Sequence, residues 1–270
     1  MERFSRSRGK KPRLARLLLG LTLLGLTLLT AILEGTANRA EAQPVEIELL
    51  LAVDSSSSIN RYEFDQQIRG LAEAFRSPLV GAAITALGQK GVAVALMQWA
   101  GRSQQHISAE WRVLRSAEDA MAFADYVDAT PRFIEGGSTA IGEALRTALS
   151  SMNGNAYQGA RLVVDVSGDG VSNEGENPAV WRDRLVIAGV TINALVILNE
   201  DPNLPSFYRA EVVGGPGAFV LTAKDYRSYG AAIEQKLLQE LGPPQFVEQQ
   251  PVSPSPSLGA LQPATERNGG

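Results

Sequence analysis

The residues of this chain best suited to chemistry are oxygen donors. Asp54, Ser56 and Ser58 stand at alternate positions directly after the apolar run Leu49–Val53. Alternation in such a turn aims every second side chain at one place. A carboxylate with two hydroxyls is a hard, oxygen-only donor set, suited to Mg²⁺ or Mn²⁺ and not to zinc. Two later loops offer more of the same. Thr139 lies in Gly136-Gly137-Ser138-Thr139, and Asp169 in Ser167-Gly168-Asp169-Gly170. Each also has a plainer reading. Ser and Asp ahead of a helix are ordinary N-caps, Ser138 or Thr139 would serve equally as a cap, and Asp-Gly is common in tight turns. Finding all five at strand-to-helix junctions of one sheet makes coincidence a poor explanation.

That argument requires the elements to fall in the right order. Glu46–Val53 reads as a strand buried on both faces, and Tyr62–Phe75 as a helix with an apolar stripe. Pro78 opens a further helical piece to Leu87. Gly91–Trp99 is a second strand, and the alternating His106–Leu114 is its partner, an antiparallel edge. Helices follow at Ala117–Ala129 and Ile141–Met152. Ala160–Val166 is a strand, Asn177-Pro178 starts a helix to Ala188, and Val190–Leu198 is another strand. A short helix at Leu204–Val213, a strand at Ala218–Leu221 and a helix at Tyr226–Leu241 complete the set. Strands separated by helices imply right-handed crossovers. The predicted fold class is α/β, a doubly wound, mostly parallel sheet with helices on both faces. Ligands of such sheets bind beyond the carboxyl ends of the strands, where the five oxygen donors fall.

Three regions are expected: a signal peptide over 1–42, one domain over 43–242, and a Pro-rich tail over 243–270. Seven basic residues between Arg3 and Arg16 precede the uncharged apolar segment Leu17–Leu33, and Ala40-Glu41-Ala42 offers a cleavage site. Export to the periplasm or outside the cell is the expectation, with an uncleaved N-terminal anchor as the alternative. Without those 42 residues the chain carries 17 basic against 26 acidic side chains. So acidic a domain is a poor partner for nucleic acid or anionic lipid and is compatible with cations. There is no Cys and one His, so disulfides, thiolate sites and most His-dependent catalysis lack material. Trp99 and Met97 read as core, and His106 and Glu135 as surface. Asp165, inside an apolar strand, has no evident purpose.

The Asp54-x-Ser56-x-Ser58 turn, the Gly-Gly-x-Thr loop and the Asp before Gly after a later strand resemble the metal-ion-dependent adhesion site of von Willebrand factor type A domains. Gln98-Trp99-Ala100-Gly101 and Gly214-Gly215-Pro216-Gly217 add local support. The likeness covers about Val45–Leu241 and is nearest to a secreted bacterial branch of unassigned function. It implies Ser56, Ser58 and Thr139 as direct ligands of a divalent cation, with Asp54 and Asp169 acting mostly through water. The implied cation is Mg²⁺, with Mn²⁺ or Ca²⁺ as alternatives, and the implied partner is a protein offering an acidic side chain. It also implies a Rossmann-like sheet and a binding rather than catalytic role. One departure stands out: many relatives have Thr directly before the Asp, where this chain has Gly168.

Two other readings compete. A metal-dependent hydrolase or phosphatase would use the same sheet edge. A phosphatase with Asp54 as nucleophile would want a second Asp where Ser56 stands, and no Gly-x-Ser-x-Gly elbow, phosphate loop or dinucleotide fingerprint is present. The third reading is a metal-free structural module of the cell envelope.

Overall fold

The computed structural model describes residues 42–198 and 201–243. All of the leader expected at 1–42 but Ala42, and all of the tail expected at 243–270 but Pro243, lie outside them. The elements are β1 (Gln43–Asp54), α1 (Arg61–Arg76), α2 (Pro78–Ala86), β2 (Val92–Trp99), β3 (Gln105–Leu114), α3 (Ala117–Asp128), α4 (Ile141–Gly154), β4 (Tyr157–Gly168), α5 (Pro178–Ile187), β5 (Val190–Ile197), α6 (Leu204–Phe207), β6 (Val220–Ala223) and α7 (Tyr229–Leu241). From α6 the chain runs straight into one wide, π-type turn at Tyr208–Val212.

The six strands lie in the order β3-β2-β1-β4-β5-β6. Only β3 is antiparallel, as its alternating edge pattern predicts. Order reverses at β1, the topological switch point where open α/β sheets hold ligands. Register makes that point sharp: Asp54 pairs with Trp99 and Val53 with Ser167, so Asp54 and Gly168 end neighbouring strands side by side.

Period-two alternation along β1 splits the core. Ile47, Leu49, Leu51 and Val53 pack with Phe64, Ile68 and Leu71 of α1 and Ile233 and Leu237 of α7. Leu50 and Ala52 face the other way, toward Ile141, Leu145 and Ala148 of α4 and toward Leu204, Tyr208 and Val212. Cover on both faces favours apolar side chains, which explains the run Leu49–Val53, while Glu48, buried just before it, accepts from Asn155 Nδ2 and Gly159 N.

The structure departs from the sequence reading near the C-terminus. The last strand lies two residues later than expected, and the last helix begins at Tyr229, not Tyr226. Asp225 and Ser228 exchange hydrogen bonds, Ser228 N to Asp225 Oδ1 and Asp225 N to Ser228 Oγ, which hold 225–228 as a turn. Tyr226 is thereby left outside the helix. Among the described residues no helix is long and apolar enough to cross a membrane.

Asp165 now has neighbours. It points from β4 at α7, where Lys236 Nζ lies 2.8 Å from its Oδ2 and 2.6 Å from Glu240 Oε1, all three side chains being almost wholly buried. Removing one member of a buried ion cluster strands the others. Lys236→Met should therefore cost on the order of 3–5 kcal/mol of stability, read as a lower midpoint in urea.

Candidate metal centre

Helix capping decides first between the plain and the chemical readings. The N-cap of α1 is Asn60, whose Oδ1 accepts from Glu63 N while Glu63 Oε2 accepts from Asn60 N, a complete capping box. The N-cap of α4 is Ala140, with no side-chain bond. Neither Asp54, Ser56, Ser58 nor Thr139 caps a helix, so capping does not account for these residues.

The side chains of the first loop converge with Asp169. Ser56 and Ser58 hydroxyls lie 3.1 Å apart, and Ser58 Oγ donates to Asp169 Oδ1 at 2.8 Å. Asp54 Oδ1 accepts from the backbone amide of Ser56 at 2.8 Å. Thr139 comes from the second loop, which links helices α3 and α4 and is not the strand-to-helix junction expected from the sequence. Its Oγ1 is 3.9 Å from the point a Cβ on Gly170 would occupy, which places it beside the Asp169 turn. All five sequence-predicted residues thus stand at one rim of the sheet. Asp54, Ser56 and Thr139 are buried, while Ser58 is exposed and Asp169 half-buried.

Each loop is held by groups that the sequence did not advertise. Arg132 reaches in from the α3–α4 connection and donates to the carbonyls of Ser55, Ser56 and Ile59, its Nη2 serving all three. Ser57 ties the first loop to the second, its N donating to Gly137 O while its Oγ accepts from Gly137 N. Gly137 has φ +122°, and a Cβ there would lie 2.1 Å from Gln104 Oε1, so only glycine passes between Ser57 and Gln104. Thr139 N donates to Asn173 Oδ1, and Thr139 O accepts from Asn173 N, locking the second loop to the segment after Asp169.

Asp169 is fixed by Tyr226, whose hydroxyl donates to Oδ2 at 2.9 Å. The shifted start of α7 is what frees Tyr226 for this contact. Gly168 finds its explanation here as well. A Cβ at that position would lie 2.6 Å from the Tyr208 hydroxyl and 3.2 Å from Asp54 Oδ2. Tyr208, on the wide turn, fills the space that a Thr side chain would take, and donates to Gly170 O. The departure from the family pattern is thus compensated by an aromatic residue 40 positions away in sequence.

The electrostatics are unbalanced. Asp54 is 0% exposed, and its Oδ2 has no hydrogen-bond partner among the described residues. Burial pushes its carboxyl up to about 7, against the bonds from Ser56, and the Asp169 charge pushes the same way while Arg132 opposes. Among the described residues no group of three or more His, Cys, Asp and Glu is placed to hold an ion. The donors are instead two carboxylates and three hydroxyls, hard oxygens throughout. An orphaned buried carboxylate oxygen beside a second carboxylate, with neither paired to an ammonium or guanidinium among the described residues, fits a small hard cation. Among these positions, Tyr208, Tyr226, Arg132 and Asn173 carried no local motif that would have singled them out.

Comparison with known proteins follows the fold. Proximal thread matrix protein 1 of the mussel byssus is similar at 19% identity and a TM-score of 0.55, over 74% of this chain and 48% of that one. Another crystal structure of it has a zinc-occupied MIDAS motif, at a TM-score of 0.52 and 19% identity, over 74% of this chain and 49% of that one. The vWF domain of the type V pili tip protein Mfa5 from Porphyromonas gingivalis is similar at 11% identity and a TM-score of 0.51, over 74% of this chain and 98% of that one. The chain thus spans about half the length of the mussel protein. Among curated proteins none matches in sequence. Residues 44–245 match the family model described as "Protein of unknown function (DUF1194)". The chain therefore belongs to that family, and its fold is that of a von Willebrand factor type A domain.

Proposed function

We propose that this protein is an exported binding module that takes hold of a protein partner through a divalent cation. The observation that carries the reading is Asp54 Oδ2, a fully buried oxygen with no donor among the described residues, at the rim where Ser56, Ser58, Thr139 and Asp169 also stand. Ser56, Ser58 and Thr139 would hold the ion by their hydroxyls, and Asp54 and Asp169 would fix its waters. Bound there, Mg²⁺ would supply a Lewis-acidic position that an acidic side chain of the partner completes. Ser58, exposed at the rim, marks the side from which the partner approaches. Export rests on the leader at 1–42. A protein partner is favoured over nucleic acid by the acidic balance of the domain.

A catalytic reading finds little to use. His106 is packed against Phe133, ring centroids 4.2 Å apart, and is exposed on β3. The Asp54-x-Ser56 spacing also lacks a second carboxylate for acid–base work.

Titration of the purified domain with Mg²⁺ or Mn²⁺ should raise its melting temperature at millimolar ion or below. Asp54→Ala combined with Ser56→Ala should stay folded and lose the shift. An unchanged wild-type curve would instead support a metal-free module, and phosphatase or esterase turnover lost in Asp54→Ala would support an enzyme. Proton competition adds a second expectation. With Asp54 at about 7, ion affinity should climb as pH rises from 6 to 8, by at most about tenfold per unit below 7, in isothermal titrations. Arg132→Met should weaken ion binding without touching the ion, and should cost about 1.5–3 kcal/mol of stability, because three loop carbonyls lose a charged donor.

A further inference from the structure

The second unbalanced charge cluster lies on the opposite side of β1 from Tyr208, under the last helix. Asp165 of β4 is 1% exposed, and from α7 Lys236 is 0% and Glu240 3% exposed. One ammonium serves both carboxylates: Lys236 Nζ bonds Glu240 Oε1 at 2.6 Å and meets Asp165 Oδ2 at 2.8 Å, the latter an ion contact outside hydrogen-bond alignment. Asn193 of β5 donates to the same Glu240 oxygen at 2.8 Å. That leaves Asp165 Oδ1 and Glu240 Oε2 buried and without a donor among the described residues. Two ionised carboxylates and one ammonium would bury a net negative charge in an otherwise apolar layer of Leu51, Val53, Ile233 and Leu237.

Among the described residues no ammonium or guanidinium other than Lys236 pairs with the cluster. Tyr229 of α7 is neutral, with its hydroxyl 3.2 Å from that of Ser167. Arg161 of β4 feels Glu240 and Glu46 of β1 at longer range, and forms no ion pair within 4.0 Å among the described residues. Phe219 offers its ring face to Lys236, with the ammonium 5.5 Å from the centroid. Water has a way in: a cavity of about 530 Å³ lined by Arg161, Asn193, Phe219 and Glu240 opens beside the cluster.

We propose that α7 is fastened to the sheet by one extra proton, held by Asp165 in the cluster it forms with Lys236 and Glu240, so that docking of the last helix is linked to pH. The proton supplies a donor to an orphaned oxygen and brings the buried cluster to neutrality. When α7 lifts, Lys236 and Glu240 leave with it, Asp165 meets water, and the proton departs. Burial holds the Asp165 carboxyl up to about 7, and the proximity of Glu240 adds to this while Lys236 opposes it. The docked state thus binds one proton more than the undocked state from the ordinary carboxylate range up to about 7, and docking weakens as pH rises through that window. The inference does not depend on the cation site, and both ends of the window lie within reach of an exported protein.

The test is hydrogen exchange of the α7 amides in chelator, from pH 5 to 8, corrected for intrinsic rates, on the whole domain. In the wild type the opening constant of 229–241 should rise by up to about tenfold per unit toward pH 7 and then level off. Asp165→Asn should flatten that profile, since one carboxylate and one ammonium need no extra proton. Glu240→Gln should flatten it too, and provides the same test should Asp165→Asn not fold. Asp54 is unchanged in every arm, so its own proton cannot mimic the difference. A wild-type profile without slope, or a full slope in either variant that folds, overturns the proposal.

Discussion

An ionisable carboxyl held out of water at the end of the central strand is the constraint from which the rest of this structure follows. Asp54 closes β1 at the point where sheet order reverses, with one oxygen on the Ser56 amide and the other unpartnered. Leaving a buried polar atom unsatisfied costs roughly 1–3 kcal/mol, and more for a charge. The fold bears that cost with many donors nearby but aimed elsewhere: Arg132 at the loop carbonyls, the Tyr226 hydroxyl at Asp169, the Tyr208 hydroxyl at Gly170. Such a shell keeps the loop rigid without quenching its inward-facing oxygens. Preorganisation of this kind removes the ordering cost from binding.

The scaffold supplies the rigidity. Three loops from three junctions are bound to one another by backbone pairs, Ser57 to Gly137 and Asn173 to Thr139, not by side chains alone. Short links between loops that rest on buried parallel strands leave little freedom for any single donor. The same logic explains the close passage at Gly137 and the missing side chain at Gly168, where Gln104 and Tyr208 occupy the space.

How much of this was readable in the residues differs by level. The succession of strands and helices, the antiparallel edge and the loops that carry the five oxygen donors follow from periodicity and from short motifs, because those signals are local; the order of the strands in the sheet comes from the structure. What the residues alone did not reveal is what holds the rim in place. Tyr226 reads as the first turn of a helix until the Asp225–Ser228 turn is seen, and Tyr208 lies in what reads as an ordinary short helix. Asp165 looked misplaced in its strand, because its partners, Lys236 and Glu240, come from a helix some 70 residues later. Long-range partners of buried charge leave no periodic trace.

One charged cluster lies at the rim of the sheet and the other under α7 on one of its faces, and they share a logic of incomplete neutralisation. At the rim the proposed counter-charge is a divalent ion, and under α7 it is a proton. Anomalous scattering from crystals soaked in Mn²⁺ tests the first, central claim most directly. The account predicts one peak at the rim, within bonding distance of the Ser56, Ser58 and Thr139 hydroxyls. Well-ordered crystals with no peak there at millimolar Mn²⁺, or with a peak only elsewhere on the domain, would contradict it.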